Sequence, residues 1–114
     1  MERKPDIGAE HFFAVDLRVG RVTGVEDFPA ARKPAWKLTV DFGPVVGTLR
    51  TSAQVRDHPA DELLGRLVVG AINLGRKRIA GFVSEFLLLG AVAPDGTVRL
   101  LEVPAGAEPG QPVA

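Results

Sequence analysis

The chain has 114 residues, with 14 cationic and 14 anionic side chains, and it contains no cysteine. This length and an apolar content of 46% are typical of one globular domain with a modest core. The absence of cysteine excludes disulfide bonds, thiolate catalysis and cysteine-ligated metal. No apolar run approaches the ~20 residues that a membrane span requires, and the first residues lack a signal peptide's apolar stretch. We therefore expect a cytoplasmic protein without membrane insertion.

Charge is unevenly distributed along the chain. Residues 1–17 carry two cations and four anions, residues 18–78 carry eleven cations and six anions, and residues 79–114 carry one cation and four anions. A neutral total can conceal a basic face, which an anionic partner would meet. Ordinary fluctuation of surface charge is the alternative interpretation.

The first predicted element is a short helix or turn over residues 9–15. Phe12 and Phe13 are adjacent, so their rings point to different sides. They are candidates for a dimer interface or for peptide binding, unless both cover the end of the protomer's own core. Residues 15–25 alternate as a strand until Gly20, where the phase slips, which predicts a β-bulge at that glycine.

A loop over residues 26–34 leads to the clearest strand signal in the chain. Trp36 and the apolar residues at every second position after it alternate with polar ones, Gly43-Pro44 forms a turn, and residues 45–52 return. Residues 35–52 are therefore predicted to form a hairpin. The alternation favours a core position for Trp36, and stacking on a base or on a peptide side chain is the alternative.

One short helix from Pro59 to Leu64, closed by Gly65, is predicted next. Residues 67–74 and 82–92 are apolar enough to be central strands, residues 97–103 could add a last strand, and the tail is predicted to be extended. Five strands with a helix between the third and fourth are typical of the all-β OB-fold, a five-stranded Greek-key barrel with terminal extensions here. Another small barrel or a sandwich is the alternative.

The connection between the last two central strands, residues 75–81, contains Arg76, Lys77 and Arg78 in a row. Such a connection often flanks the ligand groove of an OB-fold, and a guanidinium fork can donate two hydrogen bonds to one phosphate. A solvated turn, kept soluble by its charge, is the alternative.

Further candidate contacts have alternative structural roles. Asn73 could instead shape its adjacent turn, Ser52 could cap the helix, and Glu85 is expected to pair with an arginine such as Arg78. The complete set of predicted RNA-binding residues is Arg32, Lys33, Lys37, Ser52, Gln54, Asn73, Arg76, Lys77, Arg78 and Ser84.

No pattern indicates catalysis. His11 and His58 are far apart in sequence and belong to no nucleophile or metal motif. No glycine-rich stretch has the spacing of a phosphate-binding loop. We therefore expect no enzyme activity, no cofactor and no metal.

Two segments resemble a known family. VDLRVGRV at residues 15–22 is similar to the opening strand of the tRNA-binding domain family, and NLGRKRIAGFVSEFLLLG at residues 73–90 is similar to its fourth and fifth strands. That family includes free-standing bacterial tRNA-binding proteins and domains appended to methionyl- and phenylalanyl-tRNA synthetases. The resemblance covers about residues 12–92.

The resemblance is closer to the CsaA subgroup, described as secretion-related chaperones, than to the synthetase-linked members. It rests on RIAGF at residues 78–82, followed by one variable residue and then SE, on FPAARKPAWKL at residues 28–38 and on SAQV at residues 52–55. Synthetase-linked members usually have Gly-Met where this chain has Phe86 and Leu87. The resemblance implies an OB-fold homodimer that binds tRNA and, in the CsaA branch, unfolded or export-bound polypeptides.

Together these observations predict one tRNA-binding-type domain over residues 1–114, with a barrel core at about residues 12–92 and terminal extensions that contribute to dimerisation. The predicted function is that of a CsaA-like homodimeric tRNA-binding protein with export-related chaperone activity. The alternatives are a polypeptide-binding holdase in which RNA binding is secondary or absent, and a dimerisation partner of a larger enzyme. Peptide binding or dimerisation is assigned to Phe12, Phe13 and Trp36.

Overall fold

The main sheet contains five antiparallel strands. A computed structural model describes residues 2–114, and in it these strands are β1 (Leu17–Asp27), β2 (Trp36–Asp41), β3 (Thr48–Ala53), β4 (Leu67–Ala71) and β7 (Leu87–Leu88). Their order in the sheet is β3–β2–β1–β4–β7.

Two small hairpins and three short helices are the remaining elements of the residues that the structure describes. The hairpins are β5 (Lys77–Ile79) with β6 (Phe82–Ser84), and β8 (Gly90–Val92) with β9 (Val98–Leu100); the helices are α1 (Ala9–Phe13), α2 (Gly43–Val46) and α3 (Ala60–Leu63). None of the helices in residues 2–114 combines the length and the apolar character needed to cross a bilayer.

The sheet curls until β3 meets the segment that follows β6. The backbone N–H of Glu85 donates to the carbonyl of Arg50 at 2.8 Å, and Thr51 Oγ1 donates to the carbonyl of Phe86 at 2.8 Å. These bonds nearly close a five-stranded barrel, with α3 between the third and fourth strands. The predicted all-β OB-fold layout is confirmed, including the hairpin of β2 with β3 and the short helix after Pro59.

Apolar side chains from several strands and from α3 fill the interior of the barrel. The rings of Phe42 and Phe86 meet edge to face at 4.9 Å between centroids, an arrangement that aromatic pairs prefer. Around them lie the buried side chains Val22, Leu38, Val40, Val55, Leu63, Val68 and Leu100.

The β-bulge of β1 is not at Gly20, as the sequence predicted, but between Val22 and Gly24. Gly20 pairs in unbroken register with β4. A Cβ atom at Gly20 would lie 2.5 Å from Val40 Cγ1 and 2.8 Å from Phe42 Cε1. A glycine is therefore needed here because Val40 and Phe42 pack closely against it. This packing, and not a bulge, explains why the alternation of apolar residues breaks at Gly20.

Residues 82–92 are also not the one strand that the sequence predicted. The segment divides into β6, β7 and β8, which pair in turn with β5, β4 and β9. The chain leaves β6 at Glu85, whose backbone N–H bonds to Arg50 within β3. Strand β7 then begins and pairs with β4. An apolar run reports burial but not the partner strand, so it could not predict these breaks.

The C-terminal tail lies along the first residues of β1. The Gly110 N–H donates to the Val19 carbonyl at 2.8 Å, and the Val19 N–H donates to the Gln111 carbonyl at 2.9 Å. The Val113 N–H donates to the Leu17 carbonyl at 2.8 Å. The prediction of an extended tail is wrong for much of its length, because it makes turns at residues 105–106 and 109–110. The residues that lie along β1 cover a strand edge that would otherwise be unpaired.

Candidate nucleic-acid interface

A groove with a volume of about 920 Å³ opens on one side of the barrel. Its walls come from the loop after β1, from the end of β3, from the tip of the β5–β6 hairpin and from β7 and β9. Four of the predicted RNA-binding residues line it: Arg32, Lys33, Ser52 and Gln54. The groove thus gathers segments that are far apart in sequence.

The predicted basic loop is largely the β5–β6 hairpin. Ala80 and Gly81 form its two-residue tip with φ of 47° and 81°, as the two positive φ values of a type I′ turn require. Lys77 is opposite Ser84, whereas Arg78 is opposite Val83. Because side chains alternate along a strand, Lys77 and Arg78 point to opposite faces of the hairpin.

Four residues on four strands form a continuous row, which we call the basic row: Lys37, Ser52, Ser84 and Lys77. Lys37 is opposite Ser52 in the β2–β3 register, and Ser84 is opposite Lys77. Between them, Ser84 Oγ accepts from the Ser52 backbone N–H at 3.1 Å and lies 3.3 Å from Ser52 Oγ. The row therefore connects Lys37, on the predicted hairpin, with Lys77 of the predicted basic loop.

Three carboxylates that border this face are paired with arginines. The ion pairs are Glu26 with Arg50 at 3.2 Å, Asp27 with Arg56 at 2.5 Å and Glu85 with Arg76 at 3.5 Å. Within residues 2–114, four cations of this face have no ion pair: Arg32, Lys33, Lys37 and Lys77. Arg78 also has no ion pair among the described residues, but it points to the other face of the hairpin. A chain of zero net charge thus presents one strongly basic face.

Two of these ion pairs have further consequences. The predicted arginine partner of Glu85 is Arg76, not Arg78, whose Nη1 instead donates to the Gly81 carbonyl at 3.4 Å. The hydrogen bond from Arg56, and then that from the Phe28 backbone N–H, lower the pKa of Asp27 below its ordinary value.

Asn73 lies away from the groove, at the end of β4. Its Oδ1 accepts from the Asp16 backbone N–H and its Nδ2 donates to the Ala14 carbonyl, both at 2.8 Å. The amide thus holds the segment between α1 and β1, and the structure does not bring it beside the other predicted contacts. Ser52 is within β3, while the N-cap of α3 is Pro59, so the alternative of a Ser52 helix cap is wrong.

The residues assigned to peptide binding or dimerisation separate into two environments. Phe12 is 47% exposed and Phe13 is 72% exposed, so the alternative that both cover the protomer's own core is wrong. Trp36 is half-buried against the core; its Nε1 donates to the His58 carbonyl at 3.1 Å, and the Arg56 guanidinium lies 3.9 Å from its ring centre. Its own chain already covers much of the Trp36 ring.

Sequence reasoning did not identify Phe28 and Phe82 as part of this face. Both rings are buried and tilted against each other at 5.5 Å, and the ammonium group of Lys37 lies over both. Phe82 is within the RIAGF motif, and Phe28 opens FPAARKPAWKL. Those motifs were the available signal, but the loop position of Phe28 gave no reason to expect burial.

The comparisons with known proteins agree on one family. Residues 17–112 match the family model described as "Putative tRNA binding domain". The methionine–tRNA ligase of Neisseria gonorrhoeae is 34% identical over 107 residues, which are 93% of this chain and 16% of that protein. The chain therefore spans only a small part of the length of this curated relative.

Two solved structures are similar over almost the whole chain. The CsaA chaperone protein from Picrophilus torridus has a TM-score of 0.90 and 42% identity, and the chaperone CsaA from Bacillus anthracis has a TM-score of 0.90 and 38% identity. Each match covers 96% of this chain and 100% of the other. With the family model matched over residues 17–112, the chain belongs to the tRNA-binding domain family.

Proposed function

We propose that the protein is a non-catalytic cytoplasmic module that binds tRNA through the groove and the basic row. The observation that carries the proposal is the set of four cations on one face of a neutral chain that have no ion pair within residues 2–114. Membership of the tRNA-binding domain family supports tRNA as the polyanion. The predicted homodimer and the export-related chaperone activity belong to the same proposal, supported by the likeness to CsaA proteins.

The chemistry of the face suits a phosphate backbone. Arginine and lysine side chains neutralise phosphates and release condensed counterions, which makes binding depend steeply on salt. Because the three bordering carboxylates are held by Arg50, Arg56 and Arg76, they repel an approaching polyanion less than free carboxylates would. The half-buried Ser52 adds a hydroxyl group that can bond to a phosphate or sugar oxygen. Ser84 is buried, and its Oγ contacts Ser52.

Titration of total tRNA across a salt series tests the proposal. Contacts with about four to six phosphates give a log–log slope of roughly −3 to −5. Replacing Lys77 and Arg78 by Ala should weaken binding and flatten the slope by about one to two. Arg76 is left in place because its removal would free the negative charge of Glu85.

A matched control is Arg21→Ala, also on the surface. Arg21 is six residues before Asp27 on β1, roughly 20 Å along the strand, and its Nη1 donates to the Gly65 carbonyl at 2.8 Å. This variant should keep the wild-type slope. A wild-type affinity that does not change with salt would contradict phosphate recognition.

A polypeptide-binding holdase is the second candidate function. The exposed edge-to-face pair of Phe12 and Phe13, with ring centroids 5.6 Å apart, is the observation that favours it. The wild type should then suppress aggregation of an unfolded client with little dependence on salt, and the double variant Phe12→Ser, Phe13→Ser should not. Sedimentation of the same variant tests the homodimer, since a halved mass would place an interface between copies at these rings.

A further inference from the structure

Lys37 lies between two phenylalanine rings on the outer face of β2. Its Nζ is 4.8 Å from the ring centre of Phe28 and 5.3 Å from that of Phe82. Both distances are within the reach of a cation–π interaction. Phe28 also lines the groove, so the held ammonium group is at the groove's border.

No carboxylate neutralises this ammonium group. Glu26 is opposite Lys37 in the β1–β2 register, but its carboxylate pairs with Arg50 at 3.2 Å. In the part of the chain that the structure describes, Lys37 makes no ion pair. The half-buried ammonium group is therefore available to an outside anion.

The two rings cannot themselves stack on a base. Phe28 is 4% exposed and Phe82 is 8% exposed, and the Arg50 guanidinium also lies 4.9 Å from the Phe82 ring centre. Any effect of these rings on RNA binding must act through the cations that they hold. Restricting a long, flexible lysine side chain before binding removes an entropy loss that binding would otherwise include.

We propose that Lys37 is a pre-positioned phosphate contact and that Phe28 and Phe82 are the positioning residues that hold its ammonium group. The inference rests on the proposed tRNA-binding function and deepens it. Arg32 and Lys33 are on an exposed loop and have no such support, so Lys37 contributes more affinity per charge than either.

A double-mutant cycle of Lys37→Met and Phe82→Leu tests the proposal, with the tRNA Kd measured across a salt series. Lys37→Met should weaken binding about tenfold and reduce the slope by about 0.9. Phe82→Leu should weaken binding about threefold and leave the slope unchanged, since the charge remains but its position is less fixed. In the Lys37→Met background, Phe82→Leu should have no further effect.

Two further variants separate positioning from folding. Phe82→Tyr keeps an aromatic ring beside Lys37, so its tRNA affinity should be near that of the wild type. If Phe82→Leu does not fold, Phe28→Leu removes the other ring and enters the same cycle. A Lys37 side chain held in this way also gives upfield-shifted ε-methylene protons in the NMR spectrum of the free protein, and loss of either ring should move them downfield.

The outcomes distinguish this inference from the function on which it rests. Additive effects in the cycle would overturn the positioning role, as would a Lys37→Met variant with wild-type affinity while the Lys77 and Arg78 variant is impaired. A wild-type protein without salt-dependent tRNA binding would overturn the proposed function, and this inference with it.

Discussion

The two ends of strand β1 lead to two surfaces of different chemistry. At the end of β1 that carries Asp27, the basic face has three paired carboxylates and, within the described residues, four cations without ion pairs. At the end of β1 that carries Leu17, backbone hydrogen bonds hold the C-terminal tail, and α1 exposes Phe12 and Phe13. One surface offers charge to a polyanion, and the other offers apolar area to a protein.

The separation follows from the length of the strand. β1 has 11 residues, and a rise of about 3.3 Å per residue separates its ends by roughly 33 Å. This distance is several Debye lengths at physiological salt, so charges at one end hardly act on the other. We therefore expect substitutions at the two surfaces to have separable effects, which four predictions test.

The largest expected effect is on RNA binding. Reversing two charges of the β5–β6 hairpin, with Lys77→Glu and Arg78→Glu, removes two phosphate contacts and adds repulsion, so tRNA affinity should fall on the order of 100-fold at physiological salt. The free energy of unfolding should stay within about 0.5 kcal/mol of wild type, because both side chains are exposed. Gel shift and urea titration measure the two quantities.

Phe13→Ser is the control for this comparison. It changes the opposite surface and should leave the tRNA affinity per protomer unchanged. An equal loss of affinity in both variants would mean that the two surfaces are not independent.

Deleting residues 109–114 should give the next largest effect, on stability. The deletion removes three backbone hydrogen bonds to Leu17 and Val19, the bond from Arg18 Nη1 to the Gly110 carbonyl, and the packing of Val113. At about 0.5–1.5 kcal/mol for each bond, the free energy of unfolding should fall by roughly 2–4 kcal/mol, measured in urea. Unchanged stability would show that the tail contributes nothing to the barrel.

Asn73→Ala should have a smaller effect, again on stability. It leaves the Asp16 N–H and the Ala14 carbonyl without the side-chain bonds they make now, which should reduce the free energy of unfolding by about 1–2 kcal/mol. Gln54→Ala is the matched control, because Gln54 is exposed and lines the groove. We expect Asn73→Ala to lower stability and leave tRNA affinity unchanged. Gln54→Ala should lower tRNA affinity and leave stability unchanged. A loss of tRNA affinity in Asn73→Ala without a loss of stability would make Asn73 an RNA contact.

The smallest expected effect is a pH dependence of stability from His58. Its Nε2 accepts from the Leu100 backbone N–H at 3.3 Å. Burial, and then the charge of Arg66, lower the pKa of His58 below its ordinary value of 6.5. The folded state therefore binds fewer protons than the unfolded state, so this contribution to stability is complete above about pH 6.5 and is lost as the pH falls.

Urea titrations between about pH 7.5 and pH 5.5 measure this dependence. In the variant His58→Gln, an amide oxygen can still accept from the Leu100 N–H but does not titrate. Its stability should change less over this range. An identical pH dependence in both proteins would assign the change to other groups.

Much of the barrel was predictable because its signals are local. The alternation from Trp36 predicted β2, and Pro59 predicted where the short helix begins. The breaks within residues 82–92 and the bulge near Gly24 were not predictable in this way. They depend on which strand is the neighbour at each position, and that neighbour is distant in sequence.

The candidate site was likewise predictable in its local features and not in its tertiary contacts. The sequence showed cations on three segments but not which would be neutralised, because ion pairs such as that of Arg76 with Glu85 depend on tertiary distance. Asn73 looked equivalent to Gln54 as a polar candidate until the structure showed both of its amide atoms bonded to the backbone.

By itself, the sequence determined the family, the barrel and the segments that carry positive charge, because residue type and spacing encode burial and turn chemistry. Only the tertiary structure decided that Lys37, Ser52, Ser84 and Lys77 form one row, that three arginines neutralise the neighbouring carboxylates, and that two rings hold one ammonium group. Closure of the barrel creates these contacts between residues far apart in the chain, and no local pattern specifies them.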